Sequence, residues 1–190
     1  MQIIRGLRLT TLLVTLTSFG CMPKMSVQDI KNMQPTRPTQ LDRLEALLGD
    51  WETDGEITMA MLDQPLHTTG ANSARWTLDR RFLVEQAEIN MGELGKVTGM
   101  SIWSWDPAIR KYRMWWFDSL GETSEATVTY NEKTKTWHMK ASGQKYGSTT
   151  AGRGTLKHID ADTLEWTWKE YDPLGLIQFA DMKGTSRRKR

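Results

Sequence analysis

Short alternating apolar segments, separated by turn residues, repeat through most of this 190-residue chain. About nine or ten of them follow one another at a spacing of roughly 10 to 14 residues, with turn signals such as Asp106-Pro107 between them. No second helical pattern of any length interrupts the series. Regular short strands joined by turns form an antiparallel meander. The sequence therefore predicts an all-β fold, an antiparallel up-and-down β-barrel of about 8–10 strands preceded by one short helix.

The one helix lies just before the first strand. Leu41, Leu44, Leu47 and Leu48 recur at a helical spacing, and Gly49 stands where a helix of this length would end.

Large aromatic side chains lie two residues apart in several predicted strands, and the chain has 9 tryptophans. Residues i and i+2 of a strand share one face of the sheet, so Trp103 and Trp105 point to the same side. On the inner face of a barrel such residues either fill a core or line a cavity, and both interpretations stay open. The predicted ligand-binding residues are Trp103, Trp105, Met114, Trp116, Trp137 and Trp166.

The first residues have the pattern of an export signal. Arg5 and Arg8 precede an apolar run, Leu9 to Phe19, that is too short to span a bilayer, which takes about 20 apolar residues. The run ends at Gly20 and Cys21, and Cys21 is the only cysteine of the chain. The pattern resembles a lipoprotein signal and predicts lipidation of Cys21. Ordinary cleavage after Gly20, which would leave a free thiol, is the alternative.

These observations predict three parts. Residues 1–20 form a signal peptide, residues 21–39 an acylated N-terminus with a flexible tether, and residues 40–190 the barrel domain. The expected location is the cell envelope, where a lipid would anchor the exported protein to a membrane on its periplasmic or outer face. Each buried CH₂ of an acyl chain contributes about 0.8 kcal/mol to such anchoring.

The charge of the predicted mature protein argues against nucleic acid as a partner. The full chain has 25 basic and 23 acidic residues. Loss of Arg5 and Arg8 with the signal makes the two counts equal, whereas phosphate binding needs a basic surplus.

A series of short motifs follows in a fixed order through residues 40–190. These are Leu44 to Gly55 with its Gly-x-Trp, Arg81-Phe82-Leu83-Val84, Trp105-Asp106-Pro107, Lys111-Tyr112, Trp116-Phe117-Asp118-Ser119, Tyr130-Asn131 and Thr134-Lys135-Thr136. In this order and spacing they resemble a bacterial domain-of-unknown-function family of lipocalin-like (calycin) proteins, many of them exported. Trp105 is a departure, because the family more often has Tyr before this turn.

The resemblance implies a calycin barrel and a structural motif at its closed end. The indole of Trp51 would pack over that end, beneath an arginine of the last strand, with Arg187 or Arg188 as the candidate. Gly49 would provide the sharp exit from the helix. The family has no assigned function, so the resemblance leaves the ligand open.

Few residues indicate catalysis or metal binding. His67, His138 and His158 are not at the spacing of metal ligands, which predicts no metal site. Haem, which some similar short barrels hold through a single histidine, is not expected. Gln86, Glu88 and Asn90 share one side of a strand and Glu85 the other. Glu88 would be a polar group inside the barrel if its side of the strand faces inward. Otherwise that side is the solvent-exposed face of the sheet.

The sequence thus predicts an envelope lipoprotein whose barrel binds a small, mostly apolar ligand. The alternatives are a structural or interaction lipoprotein with a filled core and, less favoured, an enzyme that uses a carboxylate at the barrel mouth. No catalytic residue and no cofactor are predicted. The expected partners are the ligand and the membrane, and the oligomeric state is left open.

Overall fold

A computed structural model describes residues 24–190 of the chain. The predicted signal peptide and the lipidation site Cys21 lie outside the described residues. Those residues belong to two units, one that extends to Thr36 and one that comprises Arg37–Arg190. Within 24–190, no helix has both the length and the apolar character needed to cross a bilayer.

The first unit contains a single short helix, α1, at Val27–Asn32. Ser26 caps its N-terminus: the Ser26 hydroxyl accepts a hydrogen bond from the backbone amide of Asp29, and the Asp29 carboxylate accepts one from the amide of Ser26. None of its residues is buried. The segment predicted as a tether therefore carries a six-residue helix that is held by local hydrogen bonds.

The second unit is a closed barrel of ten antiparallel strands in up-and-down order. The strands are β1 Gly49–Met59, β2 Leu66–Thr77, β3 Phe82–Asn90, β4 Lys96–Asp106, β5 Lys111–Asp118, β6 Thr123–Asn131, β7 Thr136–Lys145, β8 Ser148–His158, β9 Thr163–Tyr171 and β10 Gln178–Arg188. Pairing of β1 with β10 closes the sheet, so that no edge is left unpaired. The prediction of an up-and-down calycin-like barrel preceded by one short helix is confirmed.

The helix before the barrel, Thr39–Leu47, is a 3₁₀ helix. Its buried leucines, Leu41, Leu44 and Leu47, recur every three residues, which is the period of a 3₁₀ helix and places all three on one side. This side packs into the aromatic core of the barrel. The helix therefore closes one end, called the closed end below. The loops β1–β2, β3–β4, β5–β6, β7–β8 and β9–β10 lie at the opposite, open end.

Aromatic rings fill the barrel beneath the helix. Trp137 is completely buried. Its ring centroid lies 4.9 Å from that of Tyr112 and 6.1 Å from that of Trp103, both in edge-to-face geometry, and 4.6 Å from that of Tyr130. The hydroxyl of Tyr112 donates a 2.7 Å hydrogen bond to the carbonyl of Gln40 and so ties this cluster to the 3₁₀ helix.

Trp51 and Arg188 join the helix to the first and last strands. The Trp51 indole donates a 3.0 Å hydrogen bond to the carbonyl of Leu47, and the guanidinium carbon of Arg188 lies 4.2 Å from the indole centroid. Arg188 also donates to the carbonyl of Leu48. Gly49 has φ +117°, and a Cβ there would collide with the Arg188 guanidinium. Of the two candidate arginines, Arg188 thus faces inward.

The paired arginines allow a matched test of this closure. Arg188→Ala is expected to lower the free energy of unfolding by about 2 kcal/mol, because it removes both the cation–π contact and the hydrogen bonds to the end of the helix. Arg187→Ala, on the exposed outer face of the same strand, should change it by less than about 0.5 kcal/mol. Urea unfolding followed by circular dichroism measures both, and equal losses would contradict a specific role for Arg188.

Candidate ligand-binding site

Beyond the aromatic core, part of the inner face of the barrel is accessible to solvent, and the space beside it is called the hollow. The strand register places one alternating set of residues on the inner face, and those near the closed end are buried. Further along the same face, several inward-pointing residues are partly accessible to solvent, whereas others nearer the open end are buried again, namely Ile57, Thr68, Val97, Glu170 and Ala180. A packed interior would bury the partly accessible residues too, so space must remain between the walls. The partly accessible inner set includes Thr53, Asn72, Glu85, Trp116, Ser124, Met139, Ala141, Trp166, Trp168 and Met182.

Three inward-facing indoles lie over glycines of neighbouring strands. A Cβ added to Gly152 would overlap the ring of Trp168, and one added to Gly99 would overlap that of Trp116. Trp166 lies in the same way over Gly55 and Gly184. Because glycine has no side chain, each indole can lie against the backbone of the wall instead of projecting across the barrel. The glycines therefore help to keep the interior open.

All six predicted ligand-binding residues point into the barrel, but at two different depths. Trp103, Met114 and Trp137 are buried in the aromatic core, and Trp105 packs against that core. Trp116 and Trp166 face the hollow and are partly accessible. The structure therefore groups the six residues into a core set and a wall pair. Trp168, which was not among the six, belongs with the wall pair.

A chain of polar side chains crosses one wall of the hollow. The Thr53 hydroxyl lies 2.7 Å from the Ser186 hydroxyl, and Asn72 donates to one carboxylate oxygen of Glu85. Ser101 donates a 2.9 Å hydrogen bond to the other carboxylate oxygen. The indole of Trp103 in turn donates to the Ser101 hydroxyl at 2.9 Å. These hydrogen bonds fix the orientation of the Glu85 carboxylate from both sides.

Of the two glutamates of β3, Glu85 and not Glu88 points into the barrel. Glu88 lies on the outer face and forms an ion pair with Lys96 at 2.7 Å. Glu85 is surrounded by protein, although part of its surface faces the hollow. Burial raises the pKa of Glu85 above its ordinary value of 4.5, and the hydrogen bonds from Ser101 and Asn72 only partly offset this effect. Strand alternation separates the two glutamates, and the apolar residues on the face of Glu85 favour its side as the inner one.

A second charged cluster lies at the mouth. The ammonium of Lys145 is 2.9 Å from the Glu170 carboxylate and 3.0 Å from that of Glu122. Burial alone would lower the pKa of Lys145, but attraction to the two carboxylates outweighs it, and the pKa is raised. Burial also raises the pKa of Glu122. Asp118 lies nearby and accepts hydrogen bonds from the backbone amides of Leu120 and Glu122.

Exposed apolar side chains surround the open end. Each of the five loops or loop margins there carries at least one, and this set is called the apolar rim: Met61, Leu94, Leu120, Tyr146, Leu174, Leu176 and Ile177. The β9–β10 loop carries three of them. In that loop the Asp172 carboxylate accepts hydrogen bonds from the amides of Ile177 at 2.7 Å and Leu176 at 2.6 Å, which lowers the pKa of Asp172. The loop that presents these side chains is therefore ordered.

Other features of the described chain offer less chemistry. An open concavity of about 930 Å³ lies on β2–β5 and has Gln86, Glu88 and Met100 in its lining. Residues 24–190 contain no group of three His, Cys, Asp or Glu side chains that could hold a metal ion. His158 lies at the closed end, where the Trp137 indole donates to its Nε2 at 3.3 Å and where burial lowers its pKa.

Comparisons with known proteins agree with this architecture. Rv2717c from M. tuberculosis is similar in structure, with a TM-score of 0.64 and 16% sequence identity over 82% of this chain and 100% of that chain. The S-type phycobiliprotein lyase CPES from Guillardia theta has a TM-score of 0.55 and 10% identity over 81% of this chain and 94% of that chain. At these identities the likeness concerns the fold alone. A search of curated proteins found no match.

A family model matches most of the barrel unit and extends over the motifs that carry the resemblance noted in the sequence. It is described as "Protein of unknown function (DUF1579)", and the match covers residues 37–187. This range begins at the first residue of the second structural unit. The chain therefore belongs to the DUF1579 family.

Proposed function

We propose that this protein is an envelope-anchored lipoprotein whose barrel binds a small, mostly apolar molecule. The observation that carries the proposal is the partly accessible inner face beside the hollow. Trp116, Trp166 and Trp168 line it together with Met139 and Met182. Indole and thioether groups in a concave space provide large apolar contact areas for a ligand. A filled core, by contrast, would leave none of these side chains accessible.

The apolar rim supports the same function. Exposed side chains such as Leu176 and Ile177 stand at the open end, where a ligand would enter the hollow. A monomeric protein rarely groups so many large apolar side chains around one opening without a use for them. The rim would let an apolar molecule leave a membrane or a carrier and enter the barrel with little contact with water.

Membrane anchoring is a separate part of the proposal and rests on the sequence around Cys21. Acylation there would keep the barrel beside a membrane, which is a source of apolar molecules. Native mass spectrometry of the protein extracted from its own membranes tests this part. We expect a mass increase of two or three acyl chains on Cys21, and none in a Cys21→Ser variant. An unmodified thiol at the mature N-terminus would refute anchoring but leave ligand binding unaffected.

A neutral fluorescent probe tests binding in the hollow. N-phenyl-1-naphthylamine should bind the protein with increased emission. Ala141→Leu adds volume on the inner face of β7, beside Gly152, and should weaken binding at least about tenfold. Ser142→Leu adds the same side chain to the outer face and should leave the affinity unchanged. Equal effects of both changes, or no binding to the unchanged protein, would contradict the proposal.

The apolar rim also favours a second candidate, an interaction lipoprotein that docks another protein at its open end. The two functions differ in what the rim touches. If the rim is a protein interface, replacing Leu174, Leu176 and Ile177 by serine should abolish complex formation in sedimentation experiments without changing the affinity for the naphthylamine probe. If the rim serves ligand entry, the same change should slow probe uptake in stopped-flow experiments.

A further inference from the structure

Glu85 stands out in the hollow because no opposite charge faces it. As far as the described residues show, its carboxylate accepts hydrogen bonds only from neutral groups: the amide of Asn72, the hydroxyl of Ser101 and the indole of Trp103. Nor does it belong to any of the ion pairs formed within residues 24–190, although Glu88 on the opposite face of the same strand does. Burial without an opposite charge raises the pKa of Glu85, so the ionised carboxylate is disfavoured as long as no cation lies beside it.

The elements packed around Glu85 supply no titratable group that could provide this charge. The inward-facing neighbours on the adjacent strands are Ala74 and Asn72 on β2 and Ser101 and Trp103 on β4. Beyond β2, the next inward residue on β1 is Thr53, which lies 3.5 Å from the Asn72 side chain. All of these are neutral. A cation that stabilises the ionised form of Glu85 would therefore have to come from a bound ligand.

A carboxylate has about four acceptor positions, and Asn72, Ser101 and the indole of Trp103 occupy up to three of those of Glu85. A remaining position can accept a hydrogen bond from a ligand. A protonated amine offers both the N–H donors and the positive charge, a hydroxyl offers a donor only, and a second carboxylate would be repelled. The indole faces of the other walls also attract cations. Among small polar groups, an ammonium therefore complements this site best.

The open end carries an excess of carboxylates, so its net charge is negative, as that of an ionised Glu85 would be. Lys145 is opposed by Glu122 and Glu170, and the carboxylate of Asp118 lies close to Glu122. Three carboxylates against one ammonium leave an acidic entrance. Such an entrance attracts a cationic molecule and repels a fatty-acid carboxylate.

We infer that Glu85 is the polar anchor of the ligand site, and that the hollow takes an apolar molecule carrying a protonated amine that donates hydrogen bonds. The inference rests on the proposed ligand-binding function and narrows it to a chemical class. The ammonium would contact Glu85 near the middle of the barrel, with the apolar part of the molecule directed past the three indoles toward the rim.

Three probes with one alkyl chain and different head groups test this class. Dodecylammonium, dodecanol and dodecanoate are titrated below their micelle concentrations by displacement of N-phenyl-1-naphthylamine. We expect dodecylammonium to bind at least about tenfold more tightly than dodecanol, and dodecanoate to bind more weakly than the alcohol. Glu85→Gln keeps the size of the side chain and removes its charge, so it should abolish the preference for dodecylammonium over dodecanol. Glu88→Gln, on the outer face of the same strand, is the control and should retain the preference.

The outcomes distinguish a failure of the amine-ligand inference from a failure of the proposed apolar binding. If dodecanol binds in the hollow but dodecylammonium binds no better, or if the preference survives in Glu85→Gln, the assignment of an amine ligand is wrong and apolar binding stands. If none of the three probes displaces the naphthylamine, and the naphthylamine itself does not bind, the proposed function fails and the inference fails with it.

A pH series on the unchanged protein makes the same test without a mutation. Burial raises the pKa of Glu85, so the carboxylate should take up a proton at a higher pH than an exposed glutamate. Dodecylammonium, with a pKa near that of lysine at about 10.4, stays charged throughout. Its advantage over dodecanol should therefore disappear as the pH falls through the raised pKa of Glu85. A preference that stays constant over the whole range in which dodecylammonium is charged and the protein is folded would overturn the inference.

Discussion

Replacing Trp137 by alanine is expected to lower the free energy of unfolding by about 3–5 kcal/mol, which is a large part of the stability of a domain of this size. Trp137 is completely buried and touches three other aromatic rings. Its indole also donates a hydrogen bond to His158, which would lose this contact. Removing the ring leaves a cavity in the middle of the core, and the rigid neighbouring rings cannot collapse into it.

The measurement is urea unfolding followed by far-ultraviolet circular dichroism. Trp115→Ala is the matched control, because Trp115 lies on the outer face of β5, where it pairs with Ile102 and Glu125. Deleting the same side chain there removes contact area without opening a cavity, so a clearly smaller loss is expected. If the two variants lost similar stability, the aromatic cluster would not be the core of the barrel.

The second large effect is expected at Gly152. Gly152→Ala places a methyl group where the Trp168 ring now lies, which forces the indole away from the wall. Overpacking of this kind lowers the free energy of unfolding by about 1–3 kcal/mol. The displaced ring would also enter the hollow, so the affinity for N-phenyl-1-naphthylamine should fall together with the stability.

A double-mutant cycle identifies the cause. In a Trp168→Ala background the obstructing ring is absent, and the three nearest atoms to the added Cβ all belong to that ring. Gly152→Ala should then be neutral or slightly stabilising, since alanine restricts the unfolded chain more than glycine does. If Gly152→Ala lowered the free energy of unfolding equally in the unchanged protein and in Trp168→Ala, crowding by the backbone, and not the indole, would require glycine at this position.

Alternation along the strands was sufficient to predict the barrel and which neighbouring aromatic residues share a face. Eight of the nine tryptophans, all of them in the described part of the chain, point inward, and Trp115 is the exception. The reason is simple: a residue pair at i and i+2 must share a face, and large apolar side chains belong on the face removed from water.

Depth along the barrel axis could not be predicted in the same way. Trp137 and Trp166 have equivalent patterns in their strands, yet one is core and the other faces the hollow. The difference comes from the 3₁₀ helix, which plugs only one end, and from glycines such as Gly184 on the strand beside Trp166. Both depend on contacts between segments that are distant in sequence.

The position of Glu85 was missed, although β3 carries a signal for it. The face of Glu85 also carries Leu83, Ala87 and Ile89, whereas the face of Glu88 carries Gln86 and Asn90, so the pattern of β3 favours the side of Glu85 as the inner one. Register with β2 and β4, which places Glu85 opposite Ala74 and Ser101, confirms it. A helical period of three at Leu41, Leu44 and Leu47 could have identified the 3₁₀ geometry from the sequence, because an α-helix would favour alternating steps of three and four.

The division of the indoles into core and hollow gives the protein two optical populations. Trp51, Trp103 and Trp137 are shielded from solvent, whereas Trp116, Trp166 and Trp168 line the space open to it. Trp76, Trp105 and Trp115 are partly accessible as well, so a small neutral quencher such as acrylamide should reach these three and the second group before the shielded group. A molecule that fills the barrel should protect the second group and leave the emission of the shielded group unchanged. The fold thus contains its own reporter of occupancy, and no label is needed to see when the barrel is full.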